Sequence, residues 1–275
     1  MSRRKSFAKE TLLSRGGASG VLITGASGGI GASIALQCAG PGVTLFLWGR
    51  DATRLEACAE GCRARGAEAR IRTLDLSDSQ AALDALREDE QSMPIGFMVL
   101  GAGMPDIRAP EALTEDPGTV LTMAQVNFTT PVTLATAAAN AMARRKGGAI
   151  VAIGSVAAFH DLPQATAYAG TKAGLTRFMT ALHGAMRPHG VIVTVVSPGY
   201  IDTAMSRRLE GARPFLMTPE SAARSILRAV RRGRAHVMFP APFIALRFLE
   251  ALVPRRIAHA LLRRSEVQQR EVRGQ

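Results

Sequence analysis

From Gly20 onward, short apolar runs alternate with longer amphipathic stretches. A strand that is buried on both faces is apolar throughout, whereas a helix that covers a sheet is apolar on one side only. The alternation therefore predicts β-α units that build a parallel sheet with helices on both faces. We expect a doubly wound α/β domain.

The same alternation predicts where the strands and helices of this domain begin and end. The predicted strands are Gly20–Thr24, Val43–Trp48, Ala69–Leu74, Phe97–Leu100, Ala149–Ile153, Val191–Val196 and His236–Phe239. The predicted helices lie near 29–39, 52–65, 78–90, 111–143, 167–187 and 219–232. Ser77-Asp78 and Thr218-Pro219 suit the starts of two helices. We predict a flexible basic extension at 1–18, one domain at 19–240 and a short, basic, apolar helical tail at 241–275.

Basic charge is concentrated at the two ends of the chain. The formal net charge of +12 would by itself suit a nucleic-acid binder. Residues 1–15 carry five basic and one acidic side chain, residues 207–275 carry fifteen and five, and residues 16–206 carry fourteen and sixteen. The body is nearly neutral, and the basic ends show no nucleic-acid motif or aromatic-interleaved platform. We expect no nucleic-acid partner.

The cysteines and the apolar runs bear on the cellular context. Three cysteines are too few for a disulfide-stapled secreted module, and no second Cys or His pair completes a zinc site. No stretch reaches the roughly 20 apolar residues of a membrane span, and the start lacks the apolar run of a secretory signal. We expect a cytoplasmic protein without a metal site.

A glycine-rich turn joins the first predicted strand to the first predicted helix. Glycine lets the backbone turn tightly and approach a pyrophosphate, and the helix N-terminus directs N–H groups at the anion. The turn lacks the Gly-Lys-Ser/Thr ending of an ATP-binding P-loop. The residues that we expect to bind a dinucleotide are Gly25, Ser27, Gly28, Gly29, Ile30 and Gly31.

The end of the second strand bears on which dinucleotide binds. A carboxylate there would hold the ribose hydroxyls of NAD(H), whereas a cation would bind the 2′-phosphate of NADP(H). The chain has Gly49 followed by Arg50, whose guanidinium can bind phosphate through two hydrogen bonds. NADP(H) is favoured and NAD(H) is the alternative. In the other interpretation of these two residues, Arg50 is a solvated loop residue and Asp51 caps the next helix. Asp75 and Leu76 could bracket the adenine, although Asp75 also suits a turn.

Tyr168 and Lys172 lie four residues apart at the start of a predicted helix, downstream of Ser155 at a strand end. This spacing puts both side chains on one helix face, about 5–6 Å apart, where an ammonium can stabilise a phenolate. A tyrosine with an unperturbed pKa near 10 is a poor acid or base at neutral pH, and a lysine neighbour lowers that pKa. Tyr-x-x-x-Lys is common on helix surfaces, but the chain has only two tyrosines. The placement of Tyr168 and Lys172 downstream of Ser155 therefore indicates a role in proton transfer.

The motifs can be taken together. They are Thr24-Gly25-x-x-x-Gly29-Ile30-Gly31, Asn127, Ser155, Tyr168-x-x-x-Lys172 and Ser197-Pro198-Gly199. As a set they resemble the classical short-chain dehydrogenase/reductase (SDR) family over roughly residues 19–240. The resemblance implies a Rossmann fold with a seven-stranded parallel sheet, a nicotinamide cofactor, hydride exchange with a carbonyl or alcohol, and a homodimer or homotetramer.

The resemblance also implies roles for single residues. Tyr168 is the general acid for carbonyl reduction and the base for alcohol oxidation, Ser155 holds the substrate oxygen, and Lys172 binds the nicotinamide ribose and lowers the tyrosine pKa. Asn127 fixes the position of its helix and a water of the proton relay. The other implied cofactor contacts are Pro198, Gly199, Ile201 and Thr203.

One segment departs from the family pattern. The family often has Asn-Asn-Ala-Gly after its fourth strand, and this chain has Leu100-Gly101-Ala102-Gly103. Glycines still permit close approach, so we expect Gly101, Ala102 and Gly103 to bind the adenosine side of the cofactor. The missing asparagine removes a hydrogen-bond partner that stabilises the sheet, which puts the local rigidity in question.

Substrate contacts are implied for the loop after Ser155 and for the segment after Thr203. Phe159, Leu162 and Met205 there suggest an apolar pocket under a mobile lid. Packing of these side chains on the domain's own core is an equal alternative.

The tail combines apolar side chains with the pairs Arg255-Arg256 and Arg263-Arg264. This composition suits an interfacial helix on an anionic membrane. An oligomer contact or a cover for the active-site cleft would present the same apolar face.

We therefore expect an NADP(H)-dependent oxidoreductase that acts on a small-molecule carbonyl or alcohol and reduces an apolar ketone or aldehyde. The alternative is a catalytically silent nucleotide-binding regulator or scaffold of the same fold. Such a protein would typically have lost Tyr168, Lys172 or Ser155, and all three are present.

Overall fold

The computed structural model describes residues 20–105, 112–208 and 212–243. Its strands are β1 (Gly20–Thr24), β2 (Thr44–Gly49), β3 (Glu68–Thr73), β4 (Ile95–Leu100), β5 (Gly148–Ile153), β6 (Val191–Pro198) and β7 (His236–Phe239). Its helices are α1 (Gly29–Cys38), α2 (Ala52–Arg63), α3 (Ser79–Ser92), α4 (Pro117–Ala124), α5 (Thr130–Arg144), α6 (Thr166–Met186) and α7 (Pro219–Arg231). The predicted basic extension and the predicted tail beyond Phe243 lie outside the described residues.

The strands form one parallel sheet in the order β3-β2-β1-β4-β5-β6-β7. Helices cover both faces: one apolar cluster contains Ile34, Leu55 and Ile226 from α1, α2 and α7, and the other contains Leu134 and Leu175 from α5 and α6. The predicted doubly wound fold with seven parallel strands is therefore confirmed. None of the helices in these ranges is long and apolar enough to cross a membrane.

The strand order reverses between β1 and β4. After β3 the chain crosses to the other side of β1 and continues outward as β4, so the loops that follow β1 and β4 turn towards opposite faces of the sheet. Such a switch point opens a crevice at the carboxyl ends of the strands, where ligands of this architecture bind. The predicted glycine turn follows β1 and therefore lies at this crevice.

Local side-chain caps start several helices. Asp51, Asp78 and Thr218 each accept a hydrogen bond from the backbone N–H three residues later, at 2.9, 2.9 and 3.3 Å. Each cap satisfies one of the N–H groups that a helix N-terminus leaves without a partner. The helix starts predicted near Asp78 and Thr218 are confirmed, as is capping of α2 by Asp51.

The long helix predicted at 111–143 is shorter at its start and irregular inside. It begins at Pro117, because Asp116 caps it by accepting a backbone N–H at 2.7 Å and proline suits the first turn. A π-helical turn at Gln125–Thr129 interrupts it before it continues to Arg144. The apolar periodicity does not predict this turn, nor the short 3-10 turns at Val156–Phe159, Arg187–His189 and Ser206–Arg208.

The N-terminus of α6 is capped from a distant part of the chain. The preceding residue, Ala165, provides no side-chain cap for this helix. The carboxylate of Glu115 instead accepts hydrogen bonds from the backbone N–H groups of Thr166 and Ala167, each at 3.1 Å, and from the Thr166 hydroxyl. Glu115 is only 8% exposed. It ties the segment before α4 to the first turn of α6.

Replacing Glu115 by alanine is expected to lower the free energy of unfolding by about 1–3 kcal/mol, because two partly buried N–H groups and one hydroxyl lose their acceptor. Urea denaturation of both proteins measures this change. Glu88→Ala is the matched control, since the Glu88 side chain is 65% exposed and pairs with Arg72 on the surface. A loss for Glu115→Ala no larger than the loss for Glu88→Ala would show that the cap contributes little.

Candidate active site

The predicted site residues gather at the carboxyl edge of the sheet. Parallel strands all end at the same edge, so the turns after β1, β2, β4, β5 and β6 lie together. These turns carry the glycine loop, Arg50, Gly101–Gly103, Ser155 and the segment 198–203.

The glycine loop packs directly against the loop that follows β4. Gly25 has φ of +73°, and a Cβ atom there would lie 2.8 Å from the backbone nitrogen of Ala102. A Cβ atom at Gly31 would lie 2.3 Å from the Gly25 carbonyl oxygen. These positions need glycine, because a side chain at either would force the two loops or the first turn of α1 apart.

Thr24 stabilises the segment that departs from the family pattern. Its hydroxyl accepts hydrogen bonds from the backbone N–H groups of Gly101 and Ala102, at 3.1 and 3.2 Å. A Cβ atom at Gly101 would lie 2.9 Å from the Thr24 carbonyl oxygen. The threonine therefore holds β1 and the end of β4 together where the asparagine is missing.

The first turn of α1 keeps its N–H groups available. Gly28 occupies the cap position and makes no side-chain hydrogen bond, and the first turn contains no acidic residue. Uncapped N–H groups and the positive end of the helix dipole suit an anion. Ile30 of the same turn packs partly buried against the core. The chemistry of this turn fits the pyrophosphate of a dinucleotide.

The end of β2 is closely packed at Gly49. A Cβ atom at Gly49 would lie 3.2 Å from Ser27 Oγ and 3.2 Å from Leu55 Cδ2. Arg50, the next residue, is exposed and lies near enough to Asp75 for its positive charge to lower the pKa of that carboxyl group. The backbone N–H of Ser77 lowers the same pKa more strongly through a 2.9 Å hydrogen bond.

Asp75 and Leu76 have structural contacts of their own. The bond from Ser77 makes Asp75 a turn residue, as the alternative interpretation expects. Leu76 is 7% exposed, its side chain lies in the core, and its carbonyl oxygen accepts a 2.7 Å hydrogen bond from the Thr130 hydroxyl. Binding of adenine by this pair stays a prediction.

Asn127 lies inside the π-helical turn and is completely buried. Its amide exchanges two hydrogen bonds with the backbone of Met104: Oδ1 accepts from the N–H and Nδ2 donates to the carbonyl oxygen, both at 2.8 Å. A Cβ atom at Gly103 would lie 3.2 Å from Asn127 Oδ1 and 3.3 Å from Lys172 Nζ. Asn127 thus fixes the loop after β4 against its helix, beside the lysine.

Ser155 and Tyr168 are joined by a hydrogen bond between their side chains. Ser155 follows β5 and also accepts the backbone N–H of Ala157 at 3.1 Å, which starts a short 3-10 turn. Tyr168 lies in the first turn of α6, whose N-terminus Glu115 anchors. Binding of one substrate oxygen by the two hydroxyl groups stays a prediction.

Lys172 is buried beside Tyr168. Its Nζ donates a 3.0 Å hydrogen bond to the Ile153 carbonyl oxygen at the end of β5 and lies 5.8 Å from the centre of the Tyr168 ring. Burial lowers the pKa of Lys172 from 10.5 to about 8. An ammonium has three N–H donors, so further acceptors such as ribose hydroxyls fit this position.

The pKa of Tyr168 differs from the expectation. Burial raises it above the usual value near 10 and outweighs the hydrogen bond with Ser155, which lowers it. The expected lowering by Lys172 is therefore not present in the protein alone. Tyr168 holds its proton at neutral pH.

The segment after β6 lies over the glycine loop. A Cβ atom at Gly29, whose φ is +55°, would lie 2.9 Å from the Thr203 methyl group. Thr203 and Ser206 hydrogen-bond each other's backbone N–H through their hydroxyls, at 3.2 Å each. Ile201 is buried and pairs with Met217. The segment after β6 therefore borders the first turn of α1.

Pro198 ends β6, and Gly199 packs against the last described residue. A Cβ atom at Gly199 would lie 2.3 Å from Phe243 Cε2. The Phe243 ring also lies 6.4 Å from the Tyr200 ring and 6.0 Å from the Phe215 ring, between centroids. The first residues of the predicted tail are thus part of the site's surroundings.

The predicted substrate residues have different environments. Phe159 packs on His236 of β7, with ring centroids 5.5 Å apart. Leu162 is half-buried, and Met205 is 36% exposed. Phe159 therefore has the core-like contact that the alternative interpretation expects, whereas Met205 lies at the surface beside Thr203.

Sequence reasoning misses two residues of the site's framework, Glu115 and Phe243. Their partners are 51 and 44 residues away along the chain, and no local motif indicates such pairs. Asp116 follows Glu115 and is the local cap of α4, so the only readable signal is a second carboxylate with no local task. Within the described ranges, no three His, Cys, Asp or Glu side chains are grouped to hold a metal ion.

Solved structures resemble the chain over most of its length. The bulky-bulky ketone specific alcohol dehydrogenase from Comamonas testosteroni is 27% identical, with a TM-score of 0.72, and the match covers 91% of this chain and 97% of that one. A short-chain dehydrogenase from Sphingobium yanoikuyae in complex with NADPH is 29% identical, with a TM-score of 0.74 and coverage of 93% and 99%.

Proteins of similar sequence are also oxidoreductases or dehydrogenases by name. An uncharacterized oxidoreductase of Myxococcus xanthus is 31% identical over 220 residues, which are 80% of this chain and 86% of the relative. The dehydrogenase/reductase SDR family member 7B of Bos taurus is 31% identical over 85% of this chain and 77% of its own length. The model of the short chain dehydrogenase family matches residues 19–213. The chain therefore belongs to the short chain dehydrogenase family.

Proposed function

We propose that the protein is an NADP(H)-dependent oxidoreductase that reduces an apolar ketone or aldehyde, with Tyr168 as the proton donor. The observation that carries the proposal is the hydrogen-bonded pair of Ser155 and Tyr168, with the buried Lys172 ammonium beside the tyrosine ring. A silent scaffold of the same fold would have no need to keep a lysine buried there, because burying a charge costs free energy. An NADPH absorbance assay with a panel of ketones and aldehydes tests the proposal.

In the proposed reaction, different residues of this chain have different roles. The nicotinamide, when bound, supplies the hydride. Ser155 donates a hydrogen bond to the substrate carbonyl oxygen, and Tyr168 transfers its hydroxyl proton to that oxygen as negative charge develops there. Lys172 stabilises the phenolate that Tyr168 leaves and would hold the nicotinamide ribose. In the reverse direction Tyr168 accepts the proton of the alcohol.

The raised pKa of Tyr168 supports the reductive direction. A tyrosine that keeps its proton at neutral pH is ready to act as an acid, whereas alcohol oxidation needs the phenolate. We therefore expect ketone reduction to proceed at neutral pH and alcohol oxidation to become faster as the pH rises.

Exposed apolar side chains support an apolar substrate. Met205, Phe215 and Leu216 follow Thr203, whose methyl group lies against Gly29 of the glycine loop. These side chains are 36–57% exposed, and exposed apolar groups near a binding site favour an apolar ligand. The similar Comamonas testosteroni enzyme is described as specific for bulky ketones.

The choice of NADP(H) rests on the end of β2. Gly49 carries no carboxylate that could hold the ribose hydroxyls of NAD(H), and Arg50 follows with an exposed guanidinium. Two similar structures contain this cofactor: the Sphingobium yanoikuyae enzyme is in complex with NADPH, and a metagenomic short-chain oxidoreductase is in complex with NADP. NAD(H) is the alternative.

A membrane contact through the tail, a homodimer or homotetramer and a cytoplasmic location stay predictions from the sequence. The tail beyond Phe243 lies outside the described residues.

Tyr168→Phe is expected to lower the turnover number of ketone reduction by about 100-fold or more, because the transferable proton is removed. NADPH binding, measured by fluorescence titration, should stay within about twofold, since the ring is kept. Tyr200→Phe is the matched control and removes the chain's other tyrosine hydroxyl; it should retain most activity. Equal activities of the Tyr168 and Tyr200 variants would refute the assigned role of Tyr168.

Lys172→Met is expected to remove a pH dependence of stability. With a pKa of about 8 in the folded protein and about 10.4 in the unfolded chain, the unfolded state binds more protons between these values, so lysine-containing protein gains stability as the pH rises. Urea denaturation at pH 7 and pH 9.5 should show a gain of about 2 kcal/mol for wild type relative to the variant. Parallel changes in the two proteins would mean that Lys172 titrates as an ordinary exposed lysine.

Arg50→Ala is expected to weaken NADPH binding by about tenfold or more and to leave NADH binding nearly unchanged, because a charge-assisted contact to the 2′-phosphate is lost. Titration of both cofactors against both proteins measures this. An equal loss for the two cofactors would mean that Arg50 contacts a part of the nucleotide other than the 2′-phosphate.

A further inference from the structure

We propose that Arg54 is a second cation for the 2′-phosphate of NADP(H), next to Arg50, and that Gly28 lacks a side chain to leave room for the Arg54 guanidinium. The inference rests on the proposed function, since it refines how the same cofactor is recognised. Nothing in the sequence motifs assigns a role to Arg54, which is the third residue of α2.

The Arg54 guanidinium lies over the glycine loop. A Cβ atom at Gly28 would be 2.7 Å from Arg54 Nη2 and 3.7 Å from Arg54 Cζ, and these are its only neighbours within 4 Å among the described residues. The arginine therefore reaches back from α2 across the end of β2 to the loop that starts α1.

Backbone conformation does not explain the glycine at position 28. Gly25 and Gly29 have positive φ values, which favour glycine. Gly28 has φ of 168°, an extended value that other residues adopt readily. The property that matters at Gly28 is thus its small size, and the group that occupies the space is the guanidinium of Arg54.

The position of Arg54 fits the adenosine side of the cofactor. Gly49 at the end of β2 packs on Ser27, the neighbour of Gly28, so the glycine loop and the start of the β2 turn are in contact. Arg50 follows Gly49 in that turn, and Arg54 lies one helical turn further along the chain. The two arginines border the place where a ribose next to the pyrophosphate would lie.

The Arg54 guanidinium is free to take up an anion. Its one charged neighbour in the described part of the chain is Asp51, at 4.0 Å between Nε and Oδ2, and Asp51 uses its other oxygen to cap α2. The Arg54 side chain is 55% exposed. Asp75 lies near Arg50 rather than Arg54. A phosphate would replace a long ion pair with short charge-assisted bonds.

Binding of nucleotide fragments tests the role without any turnover. Adenosine 2′,5′-bisphosphate and adenosine 5′-monophosphate differ only in the 2′-phosphate, so calorimetric titration of both isolates that group. Arg54→Ala should weaken binding of the bisphosphate about tenfold and change binding of the monophosphate by less than about twofold. Arg87→Ala, which removes an exposed arginine of α3, controls for the change in net charge and should leave both affinities alone.

Three outcomes distinguish a failure of the proposed NADP(H) preference from a failure of the Arg54 inference. If wild type does not prefer the bisphosphate, the NADP(H) part of the proposed function is wrong. If wild type prefers it and Arg54→Ala keeps that preference, Arg50 alone recognises the phosphate and the role of Arg54 is overturned. If Arg54→Ala weakens both nucleotides equally, Arg54 acts on another part of the nucleotide, which also overturns the inference.

Gly28→Ala tests the second half of the inference. The added methyl group must displace the flexible end of Arg54, so it should weaken bisphosphate binding in wild type and cause little further loss in the Arg54→Ala background. Losses that add in the double variant would mean that the methyl group meets the nucleotide itself, and the link between Gly28 and Arg54 would then be wrong. Thermal denaturation of each variant verifies that the fold is kept.

Discussion

A lysine ammonium held between β5 and α6 is the constraint on which the site depends. Lys172 has one carbonyl oxygen as its hydrogen-bond acceptor, and burial already shifts its pKa towards neutrality. A charge in such a place is tolerable only if its surroundings cannot rearrange, since a small movement would leave it without a partner. The parts of the fold around it provide that rigidity.

Each neighbour of the lysine is fixed by a contact with another element. Glu115 anchors the start of α6 to the segment before α4. Asn127 fastens the loop after β4 through two bonds to Met104, and Thr24 fastens the start of that loop to β1. The candidate catalytic groups are thus surrounded by separate hydrogen bonds, each of which joins two elements of the fold.

The sequence predicts what depends on neighbours along the chain. Strands, most helix bounds, the glycine turn, the caps at Asp78 and Thr218 and the clustering of Ser155 with Tyr168 all follow from periodicity and short motifs. Prediction from the sequence fails for a contact whose partner is remote along the chain, such as the cap of α6 by Glu115. It also fails for the pKa of Tyr168, because desolvation is a property of the folded surroundings and is not encoded in the four-residue spacing to the lysine.

Phe243 gives the C-terminal end of the chain a mechanical connection to the site. The ring fills the space that Gly199 leaves open, and it touches the aromatic side chains on both sides of the Thr203 segment. A displacement of the Phe243 ring would therefore reach Gly199 and the end of β6 directly, because no space separates the ring from the glycine. The position of one aromatic ring is in this way coupled to the strand end that carries the predicted nicotinamide contacts.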